Sequence, residues 1–177
     1  IGGQGGYTYG DFPAIGGGPE VHSSGEVWAQ TLWDVRSALG HKVADTLITR
    51  AMSLSSDDPS MLDMRDAILQ ADTVAYGQAH ATKLWRIFAN RGMGYFAGAI
   101  DGNDAYPGED FSMPPAPTTP RTSITGTVTD SLTGDPVAGA LVQVAGFGDQ
   151  FSDVTGADGT YEIDGLYAGT YAKVVVS

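Results

Sequence analysis

His22 is the residue whose type and position most directly suggest chemistry. It directly precedes a predicted helix, because Ser23 and Glu26 match the S-x-x-E capping box, in which each side chain satisfies the other residue's free backbone N–H. An imidazole at such a loop edge can donate a hydrogen bond, transfer a proton or bind a metal. Spacing alone favours an exposed loop histidine. A His22–Glu26 metal pair is disfavoured, because Glu26 already serves the predicted cap.

A second group of candidate ligands lies in an acidic segment after the predicted helices. Calcium prefers clusters of carboxylate and amide oxygens, and five such donors occur within ten residues. The EF-hand pattern is not matched, since Ala105 and Tyr106 stand where that loop needs an oxygen ligand and a glycine. A solvated acidic loop is therefore the simpler interpretation, and a calcium site is the alternative. The five residues are Asp101, Asn103, Asp104, Glu109 and Asp110.

Four helices are predicted to position His22. The first follows the predicted Ser23 cap and stops at Gly40, as glycine permits a left-handed helix end. Apolar residues at helical spacing predict three more helices, at about 42–54, 60–76 and 80–90. Short connections between four helices predict an all-α lobe.

Several side chains on these helices are assigned structural roles. Asp63, Arg65 and Asp66 are interpreted as an intrahelical ion-pair group with a minor effect on stability. The inward stripe of the first helix is predicted from its apolar spacing to be Trp28, Leu32, Val35 and Leu39. We expect all three tryptophans, Trp28, Trp33 and Trp85, to be core residues.

After residue 113 the apolar period changes from helical spacing to alternation. A proline-rich stretch, 114–122, is predicted to be an extended linker. Alternating apolar residues near 124–128, 140–144, 161–163 and 172–176, separated by glycine-containing turns, predict a small antiparallel β-sandwich. The fold class is thus α + β in two domains. The domains are 1–113 and 123–177, and we expect the second to be truncated because its last strand reaches Ser177.

Composition excludes several classes of function. The formal net charge of −12, with only nine basic residues, disfavours binding to nucleic acid. The chain has no cysteine, which excludes thiol catalysis, disulfides and thiolate metal sites. No apolar run approaches the roughly 20 residues of a membrane-spanning helix. Because the chain begins with Ile1 in a glycine-rich segment, we expect it to be part of something longer.

Three segments, 19–40, 60–72 and 84–94, resemble the fungalysin family of zinc metallopeptidases. They contain VH-x-x-G-E-V-W-A, D-x-R-D-A-I-L-Q-A-D and LWRIFANRGMG, and the resemblance covers about residues 7–100. More distantly, this region is similar to the C-terminal helical domain of thermolysin. Residues 123–177 resemble the carboxypeptidase-regulatory-like, prealbumin-like β-domain.

The first resemblance implies a secreted, extracellular zinc metalloendopeptidase. At the position of the family's transition-state hydrogen-bond donor stands His22, with Asp11 or Glu20 as its acidic partner. The family's H-E-x-x-H zinc motif is absent, since the three histidines are His22, His41 and His80. The resemblance therefore implies that the zinc ligands lie upstream of Ile1, in the same polypeptide or in a tightly bound chain, and that the substrate is a peptide.

A different class of function also fits the sequence. The chain could be a non-catalytic extracellular module, in which the β-sandwich mediates attachment and the helices serve as a scaffold. The absence of a zinc motif is compatible with this alternative. The discriminating observation is an associated H-E-x-x-H segment.

Overall fold

The computed structural model describes residues 6–15 and 20–177. A short 3-10 helix, Tyr9–Ala14, precedes four α-helices. The predicted helices are confirmed, and apart from the start of α1 their ends differ by at most one residue from the predicted ones. Their bounds are α1 Val21–Leu39, α2 His41–Leu54, α3 Met61–Tyr76 and α4 Ala81–Asn90.

The predicted start of α1 is wrong. Its cap is Glu20, whose carboxylate accepts hydrogen bonds from the backbone N–H groups of His22 and Ser23, both at 3.0 Å. The Ser23 hydroxyl instead donates to the carbonyls of Ile15 and Glu20. A carboxylate at the N-cap satisfies two free helical donors, so the helix begins at Val21 and includes His22 in its first turn.

The core of the helical lobe is built mainly from aliphatic residues, together with Phe88 and with Tyr9 and Phe12 of the 3-10 helix. On α1 the buried positions are Ser24, Val27, Thr31 and Val35, so the predicted stripe is rotated by about one residue. Trp28 and Leu32 pack against the core without being fully buried. Trp33 was predicted in the core and is 61% exposed. It lies on the outer face of α1, where the Arg36 guanidinium sits 5.6 Å from its ring.

The second half forms two antiparallel sheets around a small apolar core. The strands are β1 Arg121–Thr127, β2 Leu141–Val144, β3 Ser152–Val154, β4 Thr160–Tyr167 and β5 Val174–Val176. β1 pairs with β4, and β2 lies between β3 and β5. The predicted antiparallel β-sandwich, and with it the α + β fold class, is confirmed.

Two details of the sandwich differ from the prediction. β3 was not predicted, because Ser-Asp-Val is too short and too polar to show alternation. Val174 and Val176 belong to the alternating apolar run predicted at 172–176, but they are 42% and 48% exposed. They lie on β5, the edge strand of its sheet, where one side of the strand is uncovered.

The two halves are in direct contact through the segment that follows α4. Tyr95 packs against the rings of Phe147 and Tyr167, with centroids 5.3 and 5.8 Å apart. Phe96 packs edge-on against Tyr171 at 5.0 Å. Residues 114–120 contain no helix or strand, and β1 begins at Arg121. The β-sandwich is thus packed onto the helical lobe through an aromatic cluster, which we define as Tyr95, Phe96, Phe147, Tyr167 and Tyr171.

Candidate functional site

His22 projects from the first turn of α1 with its side chain 89% exposed. Its Nδ1 lies 2.6 Å from Oε1 of Glu20, while Oε2 of Glu20 accepts the two backbone hydrogen bonds at the helix start. One carboxylate therefore caps the helix and holds the imidazole. The Nε2 side of the ring has no hydrogen-bond partner among the described residues.

Glu20, and not Asp11, is the acidic partner of His22 in the structure. The hydrogen bond from the His22 side chain, followed by those from the backbone N–H groups of Ser23 and His22, lowers the pKa of Glu20 below its usual range. Asp11 instead caps the 3-10 helix, accepting from the backbone N–H and the hydroxyl of Thr8 at 2.8 and 3.2 Å. The sequence allowed either acid as the partner of His22, and the structure places Glu20 in contact with the ring.

A groove of about 660 Å³ lies beside the first turn of α1. Residues from the 3-10 helix, from the starts of α1 and α3, and from the 101–104 loop line it. Apolar walls with a few polar groups at the edge are typical of ligand pockets. Its main apolar walls are Tyr9, Phe12, Trp28, Met61 and Met64, and Glu20 and Val21 also contribute to it.

The five predicted calcium ligands do not converge. The Asp101 carboxylate accepts from the backbone N–H of Asn103, at 2.8 Å, in a local turn. Glu109 accepts from the Thr8 hydroxyl at 2.7 Å, while Asp110 accepts from the backbone N–H groups of Phe96 and Ser112. The Asp104 carboxylate is paired with Lys173. Since each of these four carboxylates already accepts hydrogen bonds from protein donors, the arrangement does not favour calcium, which stays a prediction.

The histidines do not form a zinc site within the described residues. The ring of His80 is bound to the fully buried Asp72, with Nδ1 and Oδ1 2.7 Å apart. His41 is exposed at the start of α2. Over residues 6–15 and 20–177, no group of three or more His, Cys, Asp or Glu side chains could hold a metal ion. These residues therefore do not fit the zinc that the resemblance implies.

Arg65 pairs with Asp66 as predicted, with Nε and Oδ1 2.8 Å apart, but the sequence interpretation underestimated its structural role. It is 1% exposed and donates to the carbonyl of Gly94 at 2.9 Å, and to that of Gly146 at 3.5 Å, across the two halves. Asp63 is not its partner, because it forms a capping box with Ser60. The signal was available: Arg65 lies three residues from Leu62 and from Ile68, on the buried face of α3.

Lys173 is a second residue that sequence reasoning did not single out. Its ammonium group contacts Asp104, 69 positions earlier in the chain, and no local pattern signals such a contact. In the part of the chain with described structure, no helix has the length and hydropathy needed to cross a bilayer.

Two family models match the chain. The model described as Fungalysin metallopeptidase (M36) matches residues 6–97, just over half of the chain. The model of the carboxypeptidase regulatory-like domain matches residues 123–177. The two matches correspond to the helical lobe with its preceding loop and to the β-sandwich.

Curated relatives match in the same region. Extracellular metalloproteinase 3 of Trichophyton tonsurans is 33% identical over 99 residues, covering 44% of this chain and 16% of the relative. The protein of the same name from Trichophyton rubrum is 32% identical over 99 residues, with the same coverage. This chain thus spans about a sixth of the length of these relatives. Because the family model matches residues 6–97, which include the His22 turn, the chain belongs to the fungalysin metallopeptidase family.

Proposed function

We propose that this chain forms the helical lobe of a secreted zinc metalloendopeptidase, in which His22 donates a hydrogen bond to the carbonyl oxygen of the scissile peptide bond. The observation that carries this proposal is the placement of His22, an exposed imidazole held by Glu20 beside an open apolar groove. As water attacks a peptide carbonyl, its oxygen gains negative charge, and a donor already aimed at it lowers the barrier.

The geometry supports Nε2 as the nitrogen that would contact the substrate. Since Nδ1 of His22 faces the Glu20 carboxylate, it carries a proton and donates, which leaves Nε2 for the substrate. Nε2 can donate only when the ring is doubly protonated, because a neutral imidazole has one N–H. Glu20 supplies the negative charge that such a ring would pair with, against the positive end of α1.

Zinc would be held by residues other than those described here. A zinc ion held there would supply Lewis-acid chemistry, polarising the peptide carbonyl and activating water. The contribution of this lobe is then to orient the peptide and to stabilise the developing charge. A zinc-binding segment, in the same polypeptide or in a tightly bound chain, is the proposed partner of the surface around His22.

An extracellular location is part of the same proposal. The relatives named above are called extracellular metalloproteinases. Short peptide segments are the substrate class that an exposed donor beside an apolar groove would suit.

The test is a His22→Phe substitution in the full-length protein, with His41→Phe as the control. His41 is also exposed in the first turn of a helix, but on α2. We expect His22→Phe to lower kcat/KM for a fluorogenic peptide by roughly 10²–10³, the usual effect of one lost oxyanion donor. Bound zinc, measured by elemental analysis, should not change.

The outcomes separate three roles for His22. An unchanged rate would remove it from the mechanism. A loss of zinc together with activity would make it a ligand instead of a donor. A zinc-loaded parent protein without peptidase activity would contradict the proposed function and favour the non-catalytic module.

A further inference from the structure

The loop between Ile100 and Tyr106 is organised by one carboxylate. Oδ2 of Asp104 accepts a hydrogen bond from the Ile100 N–H at 2.9 Å, and Oδ1 accepts one from the Tyr106 N–H at 3.0 Å. The Asp104 side chain is only 6% exposed. The conformation of this loop therefore depends on keeping Asp104 ionised and in place.

The β-sandwich supplies the partner of that carboxylate. Lys173, directly before β5, places Nζ 2.5 Å from Oδ2 of Asp104, with its side chain 23% exposed. The adjacent backbone is anchored, because the Ala172 N–H donates to the Phe96 carbonyl at 3.2 Å. A Cβ built on Gly108 would lie 2.4 Å from Cβ of Ala172, so the two halves approach closely here.

The charge state of Asp104 agrees with this arrangement. Burial acts to raise the pKa of Asp104, but the hydrogen bond from Lys173 and those from the N–H groups of Ile100 and Tyr106 outweigh it and hold the pKa below its usual range. Lys173 thus compensates much of the cost of burying this carboxylate.

The same loop forms one wall of the groove beside the His22 turn. Its residues 101–104 line that groove together with Glu20 and Val21. On another side, a Cβ on Gly102 would lie 3.3 Å from the Asp58 carbonyl, so the loop packs closely on the segment before α3. The loop is therefore held between the β-sandwich and the helical lobe.

We propose that Lys173 is a positioning residue, through which the β-sandwich sets the shape of the groove beside His22. The β-sandwich is then a structural component of the groove and not only a tethered attachment module. The consequence for peptide substrates rests on the proposed function, whereas the consequence for loop structure does not.

Hydrogen exchange in the full chain tests the structural part. In Lys173→Met we expect a fragment covering residues 99–107 to exchange about tenfold faster, since its two anchoring hydrogen bonds open more often. Fragments from α2 should be unchanged, which shows that the fold is intact. Lys83→Met, an exposed lysine on α4, is the matched control, and Lys173→Arg should restore protection.

Asp104→Asn provides a second route to the same loop if Lys173→Met does not fold. It should also speed exchange in 99–107, and adding Lys173→Met to it should have little further effect. Unchanged exchange in both single variants would overturn the proposal. Equal, additive effects in the double variant would also overturn it, because the two residues would then act separately.

Peptide hydrolysis tests the functional part. Lys173→Met should raise KM several-fold for peptides with large apolar side chains and leave kcat within about twofold, because it displaces a binding wall and not the donor. Faster exchange with unchanged KM would overturn the role in substrate binding. Faster exchange in a protein that hydrolyses no peptide would support the positioning role and contradict the proposed function.

Discussion

Glu20 accepts three hydrogen bonds at the start of α1, two from backbone N–H groups and one from the His22 ring. The orientation of the imidazole is therefore coupled to the helix cap, and neither can change without the other. Because the Glu20 side chain is 48% exposed, its contact with His22 orients the imidazole but contributes little to the free energy of unfolding.

The Glu20–His22 contact predicts a measurable titration shift. His22→Phe removes the largest of the interactions that lower the pKa of Glu20, so this pKa should rise towards its usual value. The backbone N–H groups at positions 22 and 23 remain, and the return should be incomplete. The stabilisation by this cap is complete above the usual glutamate pKa of 4.5 and is lost as the pH falls through the lowered pKa of the folded state.

Carbon-detected NMR of the Glu20 carboxyl measures this shift. The internal control is Asp130, whose pKa is held low by the N–H groups of Thr133 and Leu132 in its own turn. Its titration should be identical in both proteins. If the Glu20 curve did not move, the 2.6 Å contact would not persist in solution.

At the residue scale, the sequence singled out His22 as a candidate but did not predict its surroundings. The family motif marks the histidine, whereas Asp11 and Glu20, 11 and 2 residues before it, are both acidic and the motif does not say which of them the ring contacts. The S-x-x-E match at Ser23 was misleading, because a carboxylate three residues earlier competes for the same free N–H groups. Where a local pattern allows two possible partners, only the folded structure determines which of them forms the contact.

At the scale of elements, the sequence was more informative for helices than for strands. Gly77 ends α3 in the left-handed conformation, with φ of 58°, as glycine after an apolar stripe predicts. The sequence did not predict β3 or the exposure of the valines on β5, because three-residue strands carry too few side chains to establish alternation.

Gly146 illustrates how a turn fixes one element against another. Its φ is +90°, and a Cβ there would lie 2.5 Å from the carbonyl oxygen of Ala97 in the helical lobe. Gly139 has a similar φ of +78° but no atom within 4 Å of a built Cβ. Substitutions at Gly139 and Gly146 can therefore be compared to distinguish the cost of backbone strain from the cost of a clash between the two halves.

We predict that Gly146→Ala destabilises the protein more than Gly139→Ala. Both substitutions place an alanine at positive φ, which costs about 1–2 kcal/mol. Only Gly146→Ala also forces the halves apart, adding about 1–3 kcal/mol of overpacking. Urea denaturation measures both, and equal losses would mean that the contact with Ala97 has little energetic weight.

At the scale of the whole molecule, the sequence suggested two domains joined by a linker and did not indicate how they meet. The contacts that join them span 69 positions for Lys173–Asp104 and 81 for Arg65–Gly146. Neither is preceded by a local signal for its partner. The composition of the aromatic cluster is visible in the sequence, but its assembly depends on tertiary packing alone.

The buried guanidinium of Arg65 should make the two halves unfold together. It donates to the carbonyls of Met93, Gly94 and Gly146 and lies 5.0 Å from the Trp85 ring. Arg65→Met keeps an apolar chain but removes a donor from each of these carbonyls, of which Gly94 still accepts from the Ala97 N–H. An unsatisfied buried acceptor costs about 1–3 kcal/mol. Asp66 limits the loss, because its side chain is 47% exposed and water can solvate it.

We therefore predict one calorimetric transition for the parent chain, and a loss of about 2–5 kcal/mol in Arg65→Met. Without the Arg65 contacts, the helical lobe and the β-sandwich should unfold in two separate transitions. Trp85 fluorescence should change when the contact between the two halves is lost. Arg86→Met, an exposed arginine on α4, should keep a single transition near the parent midpoint. Two transitions in the parent chain would mean that the aromatic cluster and Arg65 together are too weak to couple the halves.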